Sequence, residues 1–325
     1  MGKSTMKKHM SERFGKVFNY NENPDLPKSL NIELNSNCNQ KCIFCPFHGK
    51  YAQSNPKLGM IKYEMVTKIL DEAYRLGIGE KEVGFYLAGE AFLYERLADV
   101  IGYAKRLGYK YTFITTNGAL ATPDKMKKVL DAGLDSIRFS INAADKNTYQ
   151  DIHGKDDFDS VVGNLKYMHE YIKKNNLKVA TSLSCVITKK TMGIQKKMKQ
   201  IFSEYVDEIL FIPVILSRLK CDSKFIQEYQ MVDDTHIEIN KDYICPMLFD
   251  TMYINANLEI VPCCDAYDEN CVFYDLNKDF NLEKAWRSEK YRRYRDIFLK
   301  DASDKGTICE KCVLRRKGVE RLLLE

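Results

Sequence analysis

The sequence predicts an α/β fold: a partial (β/α)6 TIM-like barrel followed by a C-terminal cysteine-rich extension. Three observations carry that expectation. β-rich runs alternate with amphipathic helical runs from about Leu30 to Val214, the strands carry one polar face, and cysteines cluster at the first strand end and again beyond residue 243. The strand candidates are Leu30–Asn35, Val83–Ala88, Tyr109–Thr115, Ser136–Ile141, Val179–Ile187 and Glu208–Ile212. Between them, apolar residues recur at helical spacing: Met65, Val66, Ile69, Leu70 and Ala73, then Leu97, Val100, Ile101, Ala104 and Leu107. Met126, Val129 and Leu130 follow, then Val161, Val162, Leu165, Met168 and Ile172, then Met198, Ile201, Phe202 and Tyr205. Gly77, Gly108 and Gly133 stand just past three of these runs, where a left-handed residue ends a helix.

Six such units fit either an open doubly wound sheet or a partial barrel. Strand phase favours the barrel. Ile137, Phe139 and Ile141 share one face against Arg138 and Ser140, and Leu30, Ile32 and Leu34 oppose Asn31, Glu33 and Asn35. A doubly wound sheet is apolar on both faces, whereas a barrel with a polar lumen is not. The expected organisation is an N-terminal extension over 1–27, the barrel over 28–216, an irregular connector over 217–242 and a cysteine-rich module over 243–325. Within that module, Leu282–Leu299 reads as one helix.

Composition narrows the class. The 325 residues are 45% hydrophobic, enough for a core, with a net charge of +5 from 50 basic and 45 acidic residues. Charge so balanced describes a solvated surface and predicts no nucleic-acid partner. The longest apolar run, Ile209–Leu216, is far short of the ~20 residues of a membrane span, so no membrane association is expected. Residues 1–19 are basic without an apolar core, so no signal peptide is visible and a cytoplasmic location is expected. Eleven cysteines, an odd number without a secretion signal, argue for metal ligands over a disulfide framework.

Cys38-Asn-Gln-Lys-Cys42-Ile-Phe-Cys45 lies directly after the first strand. Three thiolates in one loop can hold three irons of a cubane and leave the fourth iron to a small molecule. A Cys3His zinc site with His48 is the alternative. The C-terminal end of a barrel strand is where such folds place their chemistry. The triplet resembles the signature of the radical S-adenosylmethionine (SAM) superfamily, in which the amino and carboxylate groups of SAM chelate the unique iron. On that resemblance Phe44 packs on the adenine, and Ala88-Gly89-Glu90-Ala91 corresponds to the segment that binds the methionyl amine. Thr116-Asn117-Gly118 corresponds to a third-strand turn, and Ser140 to a ribose-binding position. Two departures stand out: alanines at 88 and 91 replace the usual glycine and proline, and His153 stands where an arginine would meet the SAM carboxylate.

Cys245, Cys263 or its neighbour Cys264, and the pair Cys309-Glu-Lys-Cys312 form a second group. Four thiolates suit either a structural zinc or a [4Fe–4S] cluster. Cys245-Pro, Asn257-Leu-Glu-Ile-Val-Pro-Cys263, Ala285-Trp286 and the closing pair resemble the SPASM/twitch extension of radical SAM enzymes. No cysteine follows Cys312, which is closer to the single-cluster twitch type, with Cys245, Cys263, Cys309 and Cys312 as ligands.

Cys185 reads as a core residue, while Cys221 and Cys271 are candidate hydrogen-atom donors. Tyr86, Arg138, Ser182 and Ser184 face the lumen, either to touch SAM or substrate or to pack internally. The Arg315-Arg316-Lys317 run reads as a solvated helix.

The resemblance implies two [4Fe–4S] clusters, SAM, a small-molecule substrate and an electron donor such as flavodoxin or ferredoxin. It implies a radical SAM oxidoreductase: a 5′-deoxyadenosyl radical abstracts a hydrogen atom from a small polar metabolite of sugar, aminoglycoside or cyclitol type. Oxidation of an alcohol, with the auxiliary cluster as electron acceptor, leads. Epimerisation with Cys221 as hydrogen donor follows, and maturation of a ribosomal peptide comes third.

Overall fold

The computed structural model describes residues 20–52, 58–216, 219–231, 238–266, 269–315 and 317. The larger part of the predicted N-terminal extension lies outside them, as does Arg316. The alternation expected between residues 30 and 214 is present as six parallel strands. They are β1 (Ser29–Ile32), β2 (Glu82–Phe85), β3 (Thr112–Thr116), β4 (Ser136–Ser140), β5 (Ala180–Ile187) and β6 (Glu208–Pro213), neighbours in chain order. Helices α1 (Tyr63–Arg75), α2 (Leu97–Leu107), α3 (Pro123–Asp131), α4 (Lys146–His153), α5 (Phe158–Lys174) and α6 (Gln195–Phe202) make the crossovers. The sheet is therefore the parallel array of a partial (β/α)6 barrel.

The helical spacing read from sequence is the buried face of each helix. Val66, Ile69, Leu70 and Ala73 of α1 are fully buried, as are Val100, Ile101 and Ala104 of α2 and Val161, Leu165 and Met168 of α5. Burying such side chains, at about 25 cal/mol per Å² of apolar surface, is what holds helix to sheet. Gly108 ends α2 at φ 107°, a left-handed conformation costly for any residue with a Cβ.

The first two strands end earlier than their sequence suggests. Near Ile32 and Phe85 the pairing between β1 and β2 ends and the two loops bond to each other: Glu90 N donates to Asn37 O at 2.8 Å, and Asn35 Nδ2 donates to Glu90 O at 2.9 Å. The third begins late because Tyr109 caps α2 through its backbone N–H and buries its hydroxyl against the Leu70 and Ile78 carbonyls.

The C-terminal module continues the barrel sheet. Strand β7 (Thr251–Ile254) pairs parallel with β1 in the register Ser29↔Thr251 to Ile32↔Ile254. It then turns into the antiparallel strands β8 (Glu259–Val261) and β9 (Tyr274–Asp275), so nine strands share one sheet in the order β6-β5-β4-β3-β2-β1-β7-β8-β9.

Three expectations are corrected. The single helix over Leu282–Leu299 is two, α8 (Leu282–Trp286) and α9 (Glu289–Leu299). They part at Ser288, whose extended backbone (ψ 156°) lets Trp286 and Tyr291 enter the core from separate helices, with their rings 4.7 Å apart. The connector holds a short helix, α7 (Ser223–Tyr229), capped by Asp222, whose carboxylate accepts from Phe225 N at 2.8 Å. Arg315 is not on a solvated helix: it is buried in a short 3-10 turn, pairs with Asp304 and donates to Cys309 O at 3.3 Å.

Close approach fixes one residue in the sheet. A Cβ on Gly84 would lie 2.3 Å from Asn31 Oδ1 and 2.4 Å from the Phe113 ring, inside the lumen. Gly84→Ala is expected to lower the unfolding free energy by about 1–3 kcal/mol, read from the midpoint of urea unfolding.

Candidate metal and cofactor site

The loop after β1 carries Cys38, Cys42 and Cys45, and it closes on itself: Cys45 N donates to Cys42 O at 2.9 Å and Gly49 N to Cys45 O at 3.1 Å. A Cβ on Gly49 would stand 2.6 Å from Cys42 O and 2.7 Å from Cys45 O, so only glycine lets the loop fold this tightly. Each sulfur faces an N–H donor. His48 N lies 3.3 Å from Cys45 Sγ, His153 Nδ1 3.5 Å from Cys42 Sγ and Asn117 Nδ2 3.8 Å from Cys38 Sγ.

Burial, reinforced by the neighbouring thiols, pushes Cys38 up to about 11 and Cys42 higher still. Shielding from water disfavours the thiolate, so its charge calls for a compensating cation at the sulfur. Three sulfurs with N–H donors around them suit an iron–sulfur cluster.

Two buried carboxylates position the surrounding loops. Glu90, 2% exposed, accepts from Thr116 Oγ1 at 2.6 Å and Phe92 N at 3.0 Å through one oxygen, and from Asn117 N at 2.7 Å through the other. It joins the loops after β2 and β3. These donors hold in place the segment that, on the resemblance, binds the methionyl amine. Glu33 Oε1 accepts from Ala88 N at 2.8 Å and Gly89 N at 3.2 Å, and its Oε2 accepts from Ala256 N at 2.9 Å. It ties the β2 loop to the turn after β7. Burial raises both carboxyls above the ordinary carboxylate range, against the pull of these donors. Sequence reasoning placed Glu33 on the polar strand face but assigned it no role; its phase with Asn31 and Asn35 was the available signal. Gly89 is required by close approach, since a Cβ would lie 2.0 Å from Asn35 O.

The other candidates fall into two places. Ser140 Oγ lies 3.5 Å from Ser184 Oγ, and Arg138 Nε donates to Ser182 Oγ at 3.4 Å, giving the polar lumen internal bonds. Phe44 and Cys221 join a second apolar cluster with Ile43, Tyr51, Val214 and Phe225, where the connector packs on the cysteine loop. Tyr51 fastens it by donating to Asp222 Oδ2 at 2.6 Å. Cys185 and Cys271 are buried in the core.

In the C-terminal module, Cys245, Cys263, Cys309 and Cys312 line one cavity, walled by Leu248 and Phe298. Cys264 is not among its lining residues. Burial pushes Cys245 up to about 12, with Cys312 adding to the shift, raises Cys309 further, and lifts Cys263 well above an ordinary thiol. This four-thiol donor set fits a [4Fe–4S] cluster with every iron ligated by protein.

Glu33→Ala leaves the N–H groups of Ala88, Gly89 and Ala256 without their acceptor. A loss of about 2–4 kcal/mol in chemical denaturation is expected, with faster hydrogen exchange at those three amides.

Comparison with known proteins agrees with this geometry. The family model of the radical SAM superfamily matches residues 32–192, and that of an iron–sulfur cluster-binding domain, SPASM, matches residues 245–313. A probable GTP 3′,8-cyclase of Saccharolobus solfataricus is 30% identical over 157 residues, 48% of this chain and 46% of that protein. The chain thus matches about half the length of such curated relatives. Among solved structures, SuiB of Streptococcus suis bound to the precursor peptide SuiA superposes with a TM-score of 0.64 at 17% identity, covering 95% of this chain and 73% of that one. Native anSMEcpe with bound AdoMet gives 0.64 at 18% identity, covering 89% and 88%. The chain belongs to the radical SAM superfamily and carries a SPASM-type extension, with SAM and more than one [4Fe–4S] cluster as its cofactors.

Proposed function

We propose that the protein oxidises an alcohol of a small polar metabolite, of sugar, aminoglycoside or cyclitol type. The observation that carries this reading is the convergence of Cys245, Cys263, Cys309 and Cys312 on one cavity. Four thiolates complete the iron ligation of a cubane, so substrate is not bound to its metal and the site serves electron exchange. When bound, the cofactors supply a 5′-deoxyadenosyl radical that takes a hydrogen atom, and an acceptor for the electron left on the substrate.

The chain's own residues hold and shield. Cys38, Cys42 and Cys45 are the proposed ligands of the first cluster. Phe44 is the adenine platform and Ser140 the ribose contact. Gly89 and Asn117 stand in loops whose positions Glu33 and Glu90 fix, so that SAM enters a preformed cradle. The apolar contact between the connector and the cysteine loop excludes water at the Phe44 side. A polar lumen bearing Arg138, Ser182 and Ser184 suits a hydroxylated substrate. An external one-electron donor of flavodoxin or ferredoxin type supplies the reductant.

One observation favours a second reading, epimerisation. Burial beside Asp222 pushes the Cys221 thiol up to about 11, keeping it protonated, the form that can return a hydrogen atom. It packs in the same apolar cluster as Phe44.

Anaerobically reconstituted protein is expected to hold about eight irons per chain and to release 5′-deoxyadenosine on reduction with SAM. Cys312→Ala should leave about four irons and retain SAM cleavage while losing substrate turnover. A product 2 Da lighter than a sugar or cyclitol substrate supports oxidation. Unchanged mass in water with solvent deuterium gained in D₂O, lost in Cys221→Ala, supports epimerisation instead. Turnover of a peptide alone would overturn both readings.

A further inference from the structure

In sequence, His153 stands where an arginine would meet the SAM carboxylate, a departure from the family pattern. The structure gives it a different neighbourhood. It is 1% exposed, stacked on Tyr149 with ring centroids 4.0 Å apart and planes 9° apart. The backbone N–H of Asn142 points at Nε2 from 3.1 Å. A backbone amide can only donate, so Nε2 accepts and the ring proton sits on Nδ1.

That Nδ1–H faces two acceptors: Gln40 Oε1 at 2.8 Å and Cys42 Sγ at 3.5 Å. The orientation of Gln40 is consistent, because its Nε2 is 2.6 Å from the Tyr149 hydroxyl. Asn142 is anchored in turn, its Oδ1 accepting from Val186 N of β5 at 2.7 Å. Two backbone bonds, Lys41 N to His153 O at 3.1 Å and Ile43 N to Ile152 O at 2.9 Å, hold the end of α4 beside the cysteine loop. A chain of fixed groups therefore runs from β5 through Asn142 and His153 to the middle cysteine.

We propose that His153 is a positioning residue that donates a shared hydrogen bond to the Cys42 sulfur and so sets the reduction potential of the cluster held there. An N–H donor at a thiolate sulfur withdraws charge and favours the reduced state, which carries one more negative charge. Gln40 competes for the same proton and moderates the effect. The inference rests on Cys42 being a cluster ligand.

Redox titration of the full anaerobic chain, followed by electron paramagnetic resonance, tests it. The signal that SAM perturbs identifies the cluster with an open iron. His153→Asn keeps a donor near the Nδ1 position and is expected to hold the wild-type midpoint potential. His153→Gln places its donor near Nε2 instead and is expected to shift the midpoint negative. Gln40→Met keeps the histidine and removes its competitor, so the midpoint should move positive. A purely structural role for His153 predicts altered iron content without shifts of opposite sign.

An unmoved potential in iron-replete His153→Gln overturns the proposal. So does the absence of a positive shift in Gln40→Met, which decides the matter if both His153 variants lose iron. Loss of the SAM-sensitive signal from wild-type protein would instead overturn the cluster assignment itself.

Discussion

Every loop of the site leaves a parallel strand at the same end of the sheet, and each brings backbone N–H groups that the ladder no longer satisfies. Buried without acceptors, such groups cost about 1–3 kcal/mol apiece. Glu33 and Glu90 answer that need from inside the protein, collecting five backbone amides and one hydroxyl between them. The cost is two carboxylates kept out of water. The return is that the cysteine loop, the β2 and β3 loops and the turn after β7 can move only together. A site that must hold a reactive radical away from solvent needs that rigidity more than it needs freely available carboxylates.

The cysteines obey the same logic with opposite sign. Burial disfavours a charged sulfur at Cys38, Cys42 and Cys45, and the surrounding N–H groups are aimed at those sulfurs. Contacts within the chain set the shape of the loop: Gly49 allows the tight return of the chain, while His48 N, Asn117 Nδ2 and the His153 ring stand beside the three sulfurs. In the C-terminal module Arg315, paired with Asp304 and bonded to Cys309 O, is a buried cation beside one of the four thiols.

Periodicity and spacing made most of this legible. The helix faces, the six strands and the two cysteine groups follow from patterns that local chemistry imposes: 3.6-residue burial, two-residue alternation and metal-ligand spacing. Illegible features depended on partners far away in sequence. Glu33 looks like any polar residue on a strand until Ala88 and Ala256 are brought to it. Ser288 looks helical between two helical stretches until Trp286 and Tyr291 both require the core. Arg315 reads as part of a basic tail until Asp304 is placed beside it. His153 was singled out as a departure from a family pattern, but its neighbours Asn142 and Gln40 come from a strand end and a loop that no window of sequence joins.

The pairing of β7 with β1 has a bearing on how the chain reaches this state. Strand β1 lies inside the nine-stranded sheet, yet one of its two partners is Thr251–Ile254, synthesised long after it. Until that segment emerges from the ribosome, the nascent barrel presents β1 as an unpaired edge, a template for mistaken association. Contacts between such distant parts of the chain also slow folding, because a large loop must close before they form. The module that carries the second thiol group is thus also the last strand needed to seal the first.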